Sequence, residues 1–125
     1  MTETLKKQLG NRAENQAAEF LSKQHHMVLI TQNYSSHLGE IDLIMRDNKD
    51  IVFVEVRSRS HLSLSYGNPI ESINKTKQKK IIRTAIHFLQ QKKWLNKINY
   101  RFDIIGILDD QLEWIKNAFA SEMYS

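Results

Sequence analysis

Apolar residues recur along the chain with two different periods, and these periods predict helices and strands. In residues 11–24 the apolar side chains return at helical spacing after a glycine and a good N-cap residue, which predicts a first helix. Three runs rich in β-branched residues follow, and they predict strands at residues 27–32, 40–46 and 51–57. The polar turn at residues 47–50 joins the last two strands into a hairpin.

The second half of the chain predicts one more helix and two more strands. Residues 58–69 lack either period and contain Gly67 and Pro69, which predicts a mobile loop. Residues 70–93 carry apolar side chains at i, i+4 spacing, which predicts a longer helix with strongly basic other faces. A strongly apolar strand at residues 100–108 and a short strand at residues 111–115 complete the pattern.

The order αβββαββ predicts an α/β fold, with a mixed sheet flanked by helices. A helical crossover permits the strands at residues 51–57 and 100–108 to lie parallel, whereas the hairpin is antiparallel. A chain of 125 residues is the usual size for one domain, so residues 1–125 are expected to share a single core.

Composition excludes several classes of protein and site. The chain is 41% hydrophobic and 26% charged, as globular proteins are, and no apolar run approaches the ~20 residues that cross a bilayer. Its N-terminus has no apolar secretion segment, so a soluble, cytoplasmic protein without membrane contact is expected. The absence of cysteine excludes disulfides, thiolate zinc sites and cysteine nucleophiles. The histidines show no zinc-site spacing, and no metal role is assigned to them.

The charge balance favours a polyanionic partner. Eighteen Lys and Arg against fourteen Asp and Glu give a formal charge of +4, which points towards nucleic acid. Five basic residues lie close together in the predicted second helix without an acidic residue among them: Lys75, Lys77, Lys79, Lys80 and Arg83. Acidic residues collect instead in the predicted hairpin. Together these segments suggest a phosphate-binding surface beside a cation site.

The hairpin carries the residues that suggest chemistry. Because strand side chains point alternately to the two faces of a sheet, Glu55 shares a face with Arg57, and Glu40 shares a face with Asp42. If both polar sets lie on the same side, the three carboxylates and the guanidinium converge. Carboxylates without thiolates are the ligands that Mg²⁺ or Mn²⁺ prefers, and such an ion suits phosphodiester hydrolysis.

A purely structural interpretation of the same alternation stays open. Half-solvated antiparallel strands normally alternate polar and apolar residues. In that case Glu55 pairs with Arg57 or Arg59, Asp42 pairs with Arg46, and the strands are simply exposed on one side.

Five segments in order resemble a known family. They are GEIDLIMRD, IVFVEVRSRS, ESINKTKQKKIIRTAIHFL, YRFDIIGI and LEWIKNAF. The chain resembles, over about residues 10–119, the YraN-like family of small bacterial proteins, which is placed in the restriction-endonuclease-like superfamily alongside archaeal Holliday junction resolvases. The resemblance implies a restriction-endonuclease-like fold and an active site formed by one acid followed by Asp/Glu-x-Lys.

The resemblance also implies a ligand set for Mg²⁺ or Mn²⁺. Asp42 corresponds to the first metal-binding acid and Glu55 to the second, with the backbone carbonyl of Val56 as a further contact. Glu40 corresponds to an auxiliary acid. Glu14 matches the family's helical glutamate and is expected to reach the same cluster.

A capping box is the alternative interpretation of Glu14. Asn11 followed three residues later by a glutamate is the pattern of a helix N-terminus, where both side chains satisfy free backbone amides.

The catalytic lysine of the superfamily corresponds to Arg57. A guanidinium stays protonated and cannot serve as a general base, although it can hold a phosphate or stabilise developing charge. The resemblance therefore implies either a working site in which the metal alone activates water, or a domain that has kept the fold and lost the reaction. Lys77 is expected to contact a phosphate. Lys80 and the other basic residues form either a solvated helix face or a nucleic-acid surface.

Three functional hypotheses result. The first is a metal-dependent endonuclease that acts on DNA, in particular branched DNA, with Asp42, Glu55, Arg57 and Glu40 at its catalytic site. The second is a catalytically inactive nucleic-acid-binding module of the same fold. The third is a subunit that docks another protein through its C-terminal apolar segment. Resolvase-like relatives act as dimers, so a homodimer is a further expectation, although no motif here identifies an interface.

Two further residues are expected to have structural roles. Asp103 lies in an apolar strand, which favours a buried pairing with Arg101 or another cation over catalysis. Trp114 is expected to pack at the edge of the sheet.

Overall fold

A computed structural model of the chain describes the backbone of residues 3–59 and 73–120, and the side chains from residue 11 onward within those ranges. Its elements are helix α1 (Glu3–His25), strands β1 (Val28–Ser36), β2 (Gly39–Asp47) and β3 (Asp50–Arg59), helix α2 (Lys75–Gln91), and strands β4 (Tyr100–Leu108) and β5 (Gln111–Phe119). This order confirms the predicted αβββαββ pattern.

The five strands form one mixed sheet in the order β1-β2-β3-β4-β5. Strand β3 is parallel to β4, and the other neighbouring strands are antiparallel, as the predicted crossover requires. Helix α2 belongs to that crossover. It leads from the C-terminal end of β3 towards the N-terminal end of β4, so its first turns lie near the C-terminal end of β3.

The two faces of the sheet bury separate hydrophobic clusters. On one face α1 contributes Ala13, Ala17 and Leu21, which pack with Val52, Val54 and Val56. On the other face α2 contributes Ile81, Ala85 and Phe88, which pack with Ile51 and Phe53. Strand β3 is therefore covered on both faces, which explains why its sequence is almost continuously apolar.

The helix boundaries differ from those predicted. Helix α1 begins at Glu3 rather than at residue 11. Helix α2 begins at Lys75 rather than at residue 70, because the Asn74 side chain caps it by accepting a hydrogen bond from the Lys77 backbone N–H at 2.9 Å. It ends at Gln91, two residues before the predicted end at residue 93.

Four strands are longer than the apolar pattern predicts, and β1 and β5 extend the furthest beyond it. Strand β1 continues to Ser36 and strand β5 to Phe119. The predicted loop at residues 58–69 is wrong at its start, since Ser58 and Arg59 belong to β3. The remaining residues of that loop, 60–69, lie outside the described residues.

Neither described helix combines the length and the apolar character that a membrane-spanning helix needs.

Candidate functional site

The candidate site lies where strands β2 and β3 part. Their backbone pairing stops at Leu43 and Val54, whereas β3 stays paired with β4 as far as Arg59. Beyond the last pair, the Val56 backbone N–H donates a hydrogen bond to Asp42 Oδ2 at 2.8 Å. The Asp42 carboxylate thus replaces the backbone acceptor that β2 no longer supplies.

The Glu55 carboxyl group lies beside Asp42 in this gap. Glu55 is only 7% exposed. Burial, followed by the negative charge of Asp42, raises the pKa of Glu55 from 4.5 to about 9, against the opposing effects of Arg57 and of a hydrogen bond from the Asp42 backbone. At neutral pH the pair therefore retains a proton, which a divalent cation would have to displace.

Glu14 approaches the same aspartate from helix α1. Burial and then the Asp42 charge raise the pKa of Glu14 from 4.5 to about 7, although hydrogen bonds from the Gln32 and Asn33 side chains lower it. We refer to Glu14, Asp42 and Glu55 as the acidic cluster. The resemblance-based expectation that the helical glutamate reaches this cluster agrees with the structure. The capping-box alternative is wrong, because Asn11 lies inside α1 rather than at its start.

Arg57 forms an ion pair with the buried glutamate. Its Nη2 lies 3.1 Å from Glu55 Oε2, so this part of the purely structural interpretation is correct. Within the part of the chain that the structure describes, the buried Arg57 Nε has no hydrogen-bond partner, and an unsatisfied buried donor costs about 1–3 kcal/mol. The other proposed pair, Asp42 with Arg46, does not occur among the described ion pairs.

Glu40 does not join the acidic cluster. It is exposed and lies opposite Ser35, near the turn between β1 and β2. Among the described contacts, none connects Glu40 to Asp42 or Glu55. The predicted convergence therefore holds for Asp42, Glu55 and Arg57 but is wrong for Glu40.

In strands β1 and β2 the side chains do not alternate regularly between the two faces of the sheet. Asn33 has a φ of 57°, in the left-handed region that breaks the regular pleat. On either side of it, Gln32 contacts α1, whereas Tyr34 contacts α2. Their partners on β2 diverge in the same way, since Leu43 belongs to the core under α1 and Ile41 to the core under α2.

The donor set suits a hard cation that keeps part of its water shell. The described residues include no group of three His, Asp or Glu side chains arranged to hold an ion by themselves. Asp42 and Glu55 nevertheless supply two adjacent carboxylates, and Mg²⁺ commonly binds through one or two carboxylates with water completing its coordination. Burial is the largest cause of the raised pKa of Glu55 and Glu14, and the Asp42 charge is the second; a cation would offset only the repulsion due to that charge.

The basic residues of α2 lie at the same end of the sheet. Gly39, three residues before Asp42, approaches this helix so closely that a Cβ there would lie 2.9 Å from Thr84 Oγ1. Lys80 lies one helical turn before Thr84. Five exposed basic side chains occupy this half of the helix, whose first turn holds no acidic residue: Lys75, Lys77, Lys79, Lys80 and Arg83.

Sequence patterns alone do not identify Gln32 and Asn33 as neighbours of the acidic cluster. The available signal is weak. Asparagine is a poor strand former and tolerates the left-handed region, so its position within an otherwise β-branched run marks an irregular strand.

Asp103 has a structural role, as expected from the sequence. Its carboxylate is 1% exposed and accepts hydrogen bonds from Arg101 Nε at 3.0 Å, from Trp114 Nε1 at 3.0 Å and from the Asn117 backbone at 2.9 Å. Asn117 lies in the part of β5 where the register with β4 shifts. The Trp114 ring also packs against Phe20 and His25 of α1, which confirms its packing role.

A cleft of about 520 Å³ lies away from the acidic cluster. It is lined by residues 96–102 and by Asn117, Phe119 and Ala120, near the N-terminal end of β4. We assign the chemistry to the acidic cluster rather than to this cleft, because the cleft is lined by none of the three clustered carboxylates.

Residues 13–107 match the model of a family described as uncharacterised protein family UPF0102. The chain is also similar to curated UPF0102 proteins of several bacteria. A protein of Coxiella burnetii is 42% identical over 120 residues, covering 95% of this chain and 98% of that protein. A protein of Vibrio parahaemolyticus is 39% identical over 117 residues, covering 92% and 94% of the two chains. One from Legionella pneumophila is 42% identical over 112 residues, covering 88% and 92%.

Proposed function

The chain belongs to the uncharacterised protein family UPF0102, the YraN-like family that its motifs indicate, and from that premise we propose that it is a metal-dependent endonuclease acting on DNA. The observation that carries the proposal is the contact between Asp42 and the buried Glu55 at the parting of β2 and β3. Two carboxylates so placed repel each other unless a proton or a cation lies between them.

Asp42 and Glu55 would hold Mg²⁺ or Mn²⁺, with the Val56 carbonyl as a further ligand and Glu14 beside them. When bound, such an ion supplies a polarised phosphate oxygen and a water of lowered pKa for attack on the phosphodiester. The protein's own part is to fix both carboxylates. The Val56 backbone N–H orients Asp42, and the surrounding core excludes bulk water from Glu55.

Arg57 would bind the phosphate rather than move a proton. A guanidinium matches phosphate geometry and remains charged throughout the reaction. Its contact with Glu55 satisfies only part of its donor capacity, and its buried Nε has no partner among the described residues. A phosphate group beside Glu55 would supply acceptors for this side chain.

Helix α2 would bind the phosphate backbone of the nucleic acid next to the cleavage point. Lys77 and Lys80 are exposed near the start of a helix. The positive end of the helix macrodipole adds to their charge there, so a phosphate is favoured.

Cleavage of defined DNA forms by matched variants tests the proposal. We expect purified protein to cleave four-way or forked DNA in Mn²⁺, and Asp42→Asn to abolish this activity. Asp110→Asn is the control, because Asp110 is exposed in the β4–β5 turn with a φ of 70° that asparagine tolerates. Cleavage that persists undiminished in Asp42→Asn, and in the presence of a chelator, would reject the assignment.

A binding module without turnover is the second candidate. The observation that favours it is the existing ion pair between Glu55 and Arg57, which partly neutralises the buried carboxylate without any metal. This candidate predicts salt-sensitive DNA binding with no metal-dependent product. Appearance of such a product in the wild type, and its loss in Asp42→Asn, would exclude it.

A further inference from the structure

We infer that Gln32 and Asn33 are positioning residues that hold the Glu14 carboxyl group against Asp42 and so bring helix α1 into the metal site. This inference rests on the proposed function. Neither amide belongs to the acid and Asp/Glu-x-Lys pattern of the superfamily.

The Gln32 side chain connects strand β1 to two residues of helix α1. Its Nε2 lies 2.9 Å from Asn15 Oδ1 and 3.5 Å from Glu14 Oε2. The short bond to Asn15 anchors the amide, and the longer contact directs a donor towards the glutamate. Gln32 is half-buried, as is Glu14, so these contacts are partly shielded from competing water.

Asn33 supplies a second amide to the same glutamate because of its backbone conformation. Successive side chains of a regular strand point to opposite faces of the sheet, so Gln32 and Asn33 would not normally reach one group. The φ of 57° at Asn33 removes that restriction. Asn33 lies opposite Asp42, between the paired positions Gln32–Leu43 and Tyr34–Ile41, with its side chain within hydrogen-bonding reach of Glu14.

The two amides therefore offset the repulsion between Glu14 and Asp42. Glu14 and Asp42 are two carboxyl groups in contact, and like charges this close repel each other. The amide donors hold the Glu14 carboxyl group in place against that repulsion. Partners of this kind orient metal ligands, and their loss typically weakens metal binding about 10–100-fold.

Mn²⁺ titration of single variants tests the inference. We expect Gln32→Leu and Asn33→Gly each to weaken Mn²⁺ binding about 10-fold or more. Glycine at position 33 keeps the left-handed backbone and removes only the amide. Asn48→Gly is the matched control, because Asn48 is also left-handed, with a φ of 56°, but lies in the β2–β3 turn. Wild-type affinity in both site variants would overturn the inference.

A second set of measurements separates positioning from general structural damage. If Gln32 acts through Glu14, Gln32→Leu should have no further effect on Mn²⁺ affinity in a Glu14→Ala background. An equal loss in both backgrounds would show that Gln32 acts by another route and would overturn the inference.

A failure of the proposed metal site can be distinguished from a failure of the inference about Gln32. If the wild type binds no Mn²⁺, the metal site is rejected, and urea unfolding of the metal-free protein still tests the contact. We expect Gln32→Leu and Glu14→Ala to shift the urea midpoint non-additively, since both remove the same interaction. Strictly additive shifts would overturn the inference that Gln32 holds Glu14.

Discussion

Asp42 is the residue on which the candidate site depends. Its carboxylate accepts the Val56 N–H, and both Glu14 and Glu55 approach it with a raised pKa. Together these contacts place more carboxyl groups than cations in one small volume, with Arg57 as the cation in contact with Glu55. Such an arrangement destabilises the metal-free protein whenever the carboxyl groups ionise.

The stability of the metal-free protein should therefore fall as pH rises. The pKa of Glu55 is about 9 in the folded protein and 4.5 as its ordinary value, so the folded state binds the proton more tightly. Stability from this group is fully present below about pH 4.5 and is lost as the pH rises through 9. We expect the free energy of unfolding in chelator to fall by at least about 1 kcal/mol between pH 5 and pH 8.

Urea unfolding at several pH values measures this dependence. Glu55→Gln should remove most of the slope, because glutamine cannot ionise, whereas Asp110→Asn should keep it. A Glu55→Gln variant with the wild-type slope would show that the destabilising charge lies elsewhere.

At the scale of elements, the crossover explains why a basic helix and an acidic hairpin belong to one site. The connection between the parallel strands β3 and β4 brings the start of α2 to the end of the sheet that holds the acidic cluster. The basic residues of this helix are concentrated in its first half. The basic half of the helix is therefore the half that lies at the same end of the sheet as the acidic cluster.

Removing positive charges from the first half of α2 should lower the affinity for DNA and make that affinity less dependent on salt. We expect Lys77→Gln with Lys80→Gln to lower affinity and to reduce the slope of log affinity against log salt by about two, if each lysine contacts one phosphate. Lys49→Gln with Lys97→Gln is the matched control, because both lysines are exposed near the other end of the sheet. Equal salt slopes in the two double variants would contradict this placement of the DNA.

The sequence predicts the type and order of the elements better than their limits. Periodicity identifies both helices and all five strands, because each buries a long apolar face. The start of α2 depends on a single capping residue, Asn74. The continuation of β1 through Asn33 and Tyr34 depends on pairing with β2, which no local pattern reveals.

At the scale of the whole molecule, the site exists because two strands of the sheet stop pairing. Strand alternation predicts Asp42 and Glu55 as neighbours, and the structure places them together. The same alternation wrongly includes Glu40 and misses Gln32. Both errors lie where alternation breaks down, since Asn33 in β1 is left-handed and Ile41 and Leu43 of β2 belong to opposite cores.

The packing of α2 against the sheet can be tested through Gly39. This glycine has a φ of 154°, and a Cβ attached to it would lie 2.9 Å from Thr84 Oγ1, which leaves no room for a side chain. We expect Gly39→Ala to reduce the free energy of unfolding by more than about 1 kcal/mol, as measured by urea denaturation. Adding Thr84→Ala should recover part of the loss by removing the contact. A Gly39→Ala variant as stable as the wild type would contradict this close approach.

The most direct test of the central claim is a calorimetric titration of Mn²⁺ into wild-type protein, Asp42→Asn and the control Asp110→Asn. The account predicts chelator-reversible binding to the wild type and to Asp110→Asn, and loss of that binding in Asp42→Asn. Mn²⁺ binding by Asp42→Asn with wild-type affinity, or no binding by the wild type, would contradict the claim that Asp42 and Glu55 form a metal site.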